Sequence, residues 1–215
     1  MAKQLALDLP VRGGKRRGAG RPRLHQKPGL LGKEVPHRKR AHFASCKAVH
    51  VTQRVGPGVG HLRKQSIANV FLRAFKDASK RDWVRIVHYS IQSNHLHLIV
   101  EAEDAAGLSK GMKGLAVRIA RRLNAHLRRR GPVFVDHYHA HLLGSRREVA
   151  NAVRYVVANH ARHSREPLAR RFHDPLATSP DAPLTAPRLW LLRIGWRLEP
   201  SGRMIPRTSR HDISG

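Results

Sequence analysis

Nearly all of the regular apolar periodicity in this chain falls between residues 46 and 165, which confines a folded core to the middle of its 215 residues. A segment without periodic apolar residues cannot bury enough surface to offset the entropy of ordering it. Residues 1–40 are of that kind, with 12 basic and 2 acidic residues (net +10) among glycines and prolines. Residues 46–165 hold 22 basic and 7 acidic residues, a net +15. From residue 166 the balance falls to +3, and Pro167, Pro175, Pro180, Pro183 and Pro187 interrupt any long element. Leu189 to Leu192 and Trp196 make a short apolar island there. The expected organisation is a basic, flexible arm over 1–45, a folded domain over 46–165, and a C-terminal extension over 166–215 partly docked on it. No internal repeat is visible.

Charge narrows the partners. Lysine and arginine number 42 against 14 acidic residues, giving a formal net charge of +28. Solubility needs only about 2–8 net charges on a small domain, and a compact fold with so many like charges repels itself unless a polyanion neutralises it. Nucleic acid is the obvious polyanion, because phosphate contacts release counterions. Cys46 is the single cysteine, which excludes a disulfide framework and a cysteine zinc site. No apolar run approaches the ~20 residues of a membrane span. The opening MAKQLALDLP carries Asp8 and no long apolar stretch, so it does not read as a secretory signal. The expectation is a cytoplasmic protein with no membrane partner.

Within the middle segment, Ala48 to Val55 alternates weakly and is valine-rich, as a strand requires. Ile67, Val70, Phe71, Ala74 and Phe75 recur at helical spacing over Arg63 to Ala78. Trp83 to Tyr89 and His95 to Val100 read as two strands joined by the turn Ile91-Gln92-Ser93-Asn94. Leu108, Met112, Leu115, Ile119, Leu123 and Leu127 form one stripe of a long helix that Gly131-Pro132 stops. Arg118, Arg121, Arg122, Arg128, Arg129 and Arg130 lie mostly off that stripe, available to phosphates. Val133 to Leu143 reads as a fourth strand. Ser145 and Glu148 match a capping box that starts a last helix, from Arg146 to about Asn159. The order β-α-β-β-α-β-α fits an α+β, ferredoxin-like antiparallel sheet with helices against one face.

Two features could carry chemistry. On a strand, His95 and His97 point to one face while Leu96, Leu98 and Val100 point to the other. Such a pair suits two metal ligands, or equally two solvated or core histidines in a chain with 16 of them, where His137, His139 and His141 form another alternating set. On the last helix, Val149, Val153, Val156 and Val157 share a stripe, and Tyr155 falls outside it beside Asn159. That placement suits either a reactive hydroxyl or an ordinary surface tyrosine.

Three motifs together resemble a known family. Ser93-Asn94-His95-Leu96-His97-Leu98-Ile99-Val100, then Gly131 to His139, then Arg147-Glu148-Val149 through Arg154-Tyr155-Val156-Val157-Ala158-Asn159 are similar to the single-tyrosine HUH transposases, and most to the REP-associated tyrosine transposases. The resemblance spans roughly residues 46–165. It implies a ferredoxin-like fold in which His95, His97 and Asn159 bind Mg²⁺ or Mn²⁺ and Tyr155 is the nucleophile. It further implies nicking and strand transfer on single-stranded, hairpin-containing DNA through a 5′-phosphotyrosyl intermediate, by a monomer or homodimer. Two positions depart from the family pattern. Gln92-Ser93 stands where Met-Pro is usual, and His137 follows Asp136 where arginine is usual. Neither change removes a ligand or the nucleophile.

The arm adds Gly18-Ala19-Gly20-Arg21-Pro22-Arg23, which resembles an AT-hook, a Gly-Arg-Pro core that lays arginines along a narrow minor groove. Ala19 replaces the usual arginine, so Arg21 and Arg23 fit a generic basic arm equally well. An alternative function on the same fold is binding of structured DNA or of RNA without cleavage.

Overall fold

A computed structural model describes residues 42–79, 83–163 and 174–198, all within one compact unit. Four strands and three main helices run in the order β1 (Lys47–Arg54), α1 (Gln65–Ala78), β2 (Arg85–Ile91), β3 (His95–Ala102), α2 (Ala105–His126), β4 (His139–Leu143) and α3 (Arg146–His163). The strands form one sheet in the order β2-β3-β1-β4, and every neighbouring pair is antiparallel. The fold is the α+β, ferredoxin-like arrangement that the element order predicts, with β3 inserted between β1 and β2.

The strands' period-two alternation divides the interior into two cores. Val49, Val51, Leu96, Leu98 and Val100 face α1 and α2, meeting Phe71 and Phe75 of the first and Leu108, Met112, Leu115, Ile119 and Leu123 of the second. Ala48, Ile99 and Leu143 face the other way, onto Val149, Val153 and Val156 of α3. One face thus carries α1 and α2, as expected, whereas α3 crosses to the opposite face. Ile99 settles that placement, because it is two residues from His97 and packs on the α3 valines. The histidine pair therefore looks toward α3.

The expected strand over 133–143 forms only at its end, His139–Leu143. Val133 and Tyr138 are both buried in the core against α1 and α2. Five residues apart, they would point to opposite faces of an unbroken strand, so the segment must bend between them. It bends as a loop tied to the sheet by Gly56 N–H donating to Val133 O at 2.8 Å and Gln53 Nε2 donating to Asp136 O at 3.3 Å.

Residues 174–198 lie along the outer edge of β2. Ile91 N–H donates to Leu176 O (2.9 Å), Thr178 N–H to Tyr89 O (3.1 Å) and Leu184 N–H to Val87 O (2.9 Å). Arg63 clamps the start of this segment by a bidentate pair with Asp174 at 2.7 and 2.9 Å. Buried Glu101 holds a later part by accepting from the backbone N–H groups of Arg188 and Leu189 at 2.9 and 2.8 Å. A short helix, α4 (Trp190–Arg193), then brings Leu192 and Trp196 against the α3 valines. Among the described residues, no helix is long and apolar enough to cross a membrane.

Candidate active site

The site grows from one face of the sheet. Register puts His97 of β3 opposite Thr52 of β1, and Thr52 opposite His139 of β4, while His50 pairs with His141. His95, His97, His50, Thr52, His139 and His141 thus share the face beneath α3, in a band running from β3 to the edge strand.

Within that band the imidazoles interlock. His95 Nε2 and His97 Nε2 are 3.0 Å apart, with the rings nearly perpendicular at 88°. His95 Nδ1 lies 2.8 Å from Asn94 Oδ1, which can only accept, so that nitrogen carries the proton and Nε2 keeps its lone pair. His97 Nδ1 lies 3.2 Å from both His50 Nε2 and Thr52 Oγ1. His50 stacks on His97 at 5.3 Å between ring centroids. Burial, reinforced by His141 and His139, holds the His50 imidazole down to about 4, so it is neutral at pH 7.

Helix α3 roofs this band. Ser145 Oγ accepts from Glu148 N–H at 3.2 Å, and Glu148 Oε2 accepts from Ser145 N–H at 2.9 Å and Gly144 N–H at 2.8 Å. These bonds hold the Glu148 carboxyl below its usual range and set where the helix begins. The buried valines then set its rotation. Tyr155 falls at the border of the buried face, its ring edge-on to His97 at 5.1 Å and to His50 at 6.0 Å. Asn159 is 0 % exposed and belongs to the buried face itself, not to the polar flank its spacing suggests. Neither its Oδ1 nor its Nδ2 finds a hydrogen-bond partner among the described residues.

A buried amide with no partner costs about 1–3 kcal/mol unless something completes it. Adjacent ligands on an octahedral ion bound at about 2.1 Å stand about 3 Å apart, which matches the His95–His97 separation. Among the described residues no three His, Cys, Asp or Glu side chains come together around a metal position. Asn159 carries an amide oxygen that has no partner among the described residues and is of a type that binds such ions. Two imidazoles and an amide fit a divalent ion that keeps open positions for substrate.

The other tyrosines are disqualified by position. Tyr89 packs on Phe75 at 5.2 Å, and Tyr138 is buried in the same core, both on the far face of the sheet. The arginines expected to meet phosphates are divided. Arg118, Arg121 and Arg122 belong to α2, on the layer opposite the histidines. Arg122 pairs with Asp77 at 2.6 Å, and Arg129 donates to Pro132 O at 3.0 Å. Arg128 and Arg130 are exposed at the end of α2. Arg21 and Arg23 lie outside the described residues. His50 and Thr52 escaped the sequence reading, although alternation in β1 placed both opposite the buried Val49 and Val51.

Comparison with known proteins adds an independent view. Residues 49–159, just over half of the chain, match the family model described as IS200-like transposase. A solved structure of a REP-associated tyrosine transposase bound to a REP hairpin is similar at a TM-score of 0.54 and 12 % identity, covering 66 % of this chain and 82 % of that one. A candidate transposase from Deinococcus radiodurans R1 has a TM-score of 0.40 and 15 % identity, covering 50 % and 86 %. No curated protein sequence matches.

Proposed function

This chain belongs to the IS200-like transposase family and is a DNA-processing protein of that kind, and on that premise we propose that it nicks and rejoins single-stranded DNA through Tyr155. The observation that carries the proposal is Tyr155 edge-on to His97, itself 3.0 Å from His95, with the unpartnered Asn159 amide one helical turn on. His95, His97 and Asn159 would hold Mg²⁺ or Mn²⁺. When bound, such an ion supplies Lewis-acid polarisation of the scissile phosphate.

The chain's own residues do the rest. The Tyr155 hydroxyl gives up its proton to solvent as its oxygen attacks phosphorus. The Oη–P bond forms as the P–O3′ bond breaks, and the departing 3′ oxygen is protonated to a hydroxyl. The product is a 5′-phosphotyrosyl enzyme whose phosphodiester energy is conserved, so a second 3′-hydroxyl can reverse the step and join a new strand. Packing of α3 on the sheet holds the Tyr155 ring against the imidazoles, which limits the hydroxyl's wandering and lowers the entropy cost of attack. Thr52 and His50 fix His97 from behind. A DNA hairpin as substrate is supported by the likeness to the hairpin-bound transposase.

The test is a denaturing gel with a labelled, hairpin-containing single strand and Mn²⁺. Wild type should yield a slow-migrating covalent adduct, and Tyr155→Phe, which removes only a hydroxyl, should yield none while binding the strand equally well. An adduct that persists in the variant, or one that forms undiminished in excess chelator, overturns the assignment.

A further inference from the structure

On the layer opposite the histidines, the first half of α2, the end of α1 and the start of β2 enclose a cleft of about 190 Å³. Its walls are Ala78, Val84, Ile86 and Leu115, and Lys110 and Arg118 stand at its rim. Trp83 forms one side and is 48 % exposed; of the chain's three tryptophans, Trp190 is likewise half in solvent at 54 % and Trp196 is buried. The Lys110 ammonium sits 3.4 Å from its ring centroid, which holds the indole in one orientation.

Two glycines open the floor, for different reasons. At Gly111 a Cβ would come within 2.3 Å of Val84, so close packing of the segment leading into β2 on α2 demands the glycine. At Gly114 a Cβ would meet nothing within 4 Å. Glycine inside a helix is less favourable than alanine by about 1 kcal/mol, and nothing in the fold requires it there. Its effect is to bare the helix backbone in the cleft. Lys110, Gly114 and Arg118 follow one another at four-residue spacing, so the two cations bracket the bare position about 12 Å apart along the axis. Among the described residues neither cation is paired with a carboxylate, unlike Arg122 one turn further on, which Asp77 holds.

We infer that this cleft binds one nucleotide of a single-stranded DNA segment, with the base beside Gly114 on the Trp83 face that Lys110 leaves open and the flanking phosphates on Lys110 and Arg118. The volume is below the roughly 300–1,000 Å³ that encloses a complete small-molecule ligand, which suits a single flat group inserted from a longer strand. A net charge of +28 makes a polyanion the complementary occupant. An exposed aromatic beside cations is the arrangement that grips single strands without reading sequence. The inference rests on the proposed single-stranded substrate, but it concerns a contact remote from Tyr155 on the other face of the sheet.

The experiment titrates the full chain with fluorescein-labelled oligothymidylate, which has no hairpin. Trp83→Ala should weaken binding about tenfold, because one stacked base contributes about 1–3 kcal/mol, with the salt slope unchanged. Trp83→Tyr should recover most of the affinity. Gly114→Leu should weaken binding several-fold while leaving the melting temperature unchanged or higher, so a folding defect cannot imitate the result. Arg118→Gln should lower the salt slope. Wild-type affinity in both Trp83→Ala and Gly114→Leu overturns the inference, as does tighter binding of oligouridylate with the same dependence on Trp83. Loss of affinity in these variants without any Tyr155 adduct in wild type would leave the cleft standing and remove the catalytic proposal instead.

Discussion

A neutral imidazole carries one proton, and His97 has a partner at each nitrogen. Its Nε2 faces His95 and its Nδ1 faces Thr52 Oγ1 and His50 Nε2. To offer a lone pair at Nε2, His97 must keep its proton on Nδ1 and donate it to one of those two acceptors. Thr52→Val keeps the side chain's shape and removes the hydroxyl. The expected outcome is Mn²⁺ binding weakened about tenfold or more, read by calorimetry on the DNA-free protein, with affinity for single strands unchanged. The shared strand face of His95 and His97 and the place of Tyr155 outside the valine stripe were legible in the sequence because local spacing marks them, whereas the roles proposed for them and for Asn159 come from the resemblance. His50 and Thr52 were not legible, since their role depends on the register of β1 against β3, with Thr52 and His97 45 positions apart. The inward position of Asn159 was also hidden. Projection around a helix gives angles but not how deeply the helix settles on its sheet.

At the level of elements, α3 is held by its cap at one end and its valines along one side. Ser145→Ala removes the hydroxyl that accepts from Glu148 N–H and should cost about 0.5–2 kcal/mol, lowering the melting midpoint by a few degrees and the adduct yield at higher temperature. This helix was legible because a cap and a 3.6-residue period agree. The fourth strand was misjudged in length because Val133 and Tyr138 contact a core that the local pattern cannot reveal. β2 offers a second test. His88 is buried beside Thr178, 3.1 Å from its hydroxyl, and burial together with the Arg197 charge holds its imidazole down to about 4. The unfolded chain, with a His near 6.5, therefore takes up the proton first as pH falls. Stability from neutral His88 is complete above about pH 6.5 and is lost progressively toward pH 4. The melting temperature of wild type should fall across that window more steeply than that of His88→Gln.

For the whole molecule, charge and edges matter most. Residues 1–40 contribute +10 of the +28 without periodic apolar residues, so deleting them should leave the sheet folded, weaken DNA binding, and flatten the plot of log affinity against log salt. An unchanged slope would deny the arm that role. The sequence showed that residues 166–215 hold a short apolar island, but not that residues 176–184 meet the edge of β2, because strand-edge partners carry no signature in either segment alone. That partnership has a consequence in time. The backbone groups of β2 are satisfied by Leu176, Thr178 and Leu184, which a ribosome reaches some 85 residues after Ile91. At roughly 5–20 residues per second, the strand waits about 4–17 s with its edge bare during every round of synthesis, and a bare edge invites pairing with a neighbouring chain. Slow translation of the stretch between α3 and Leu176, or a stop codon within it, should therefore send this protein into aggregates even though every residue of its candidate active site is already made.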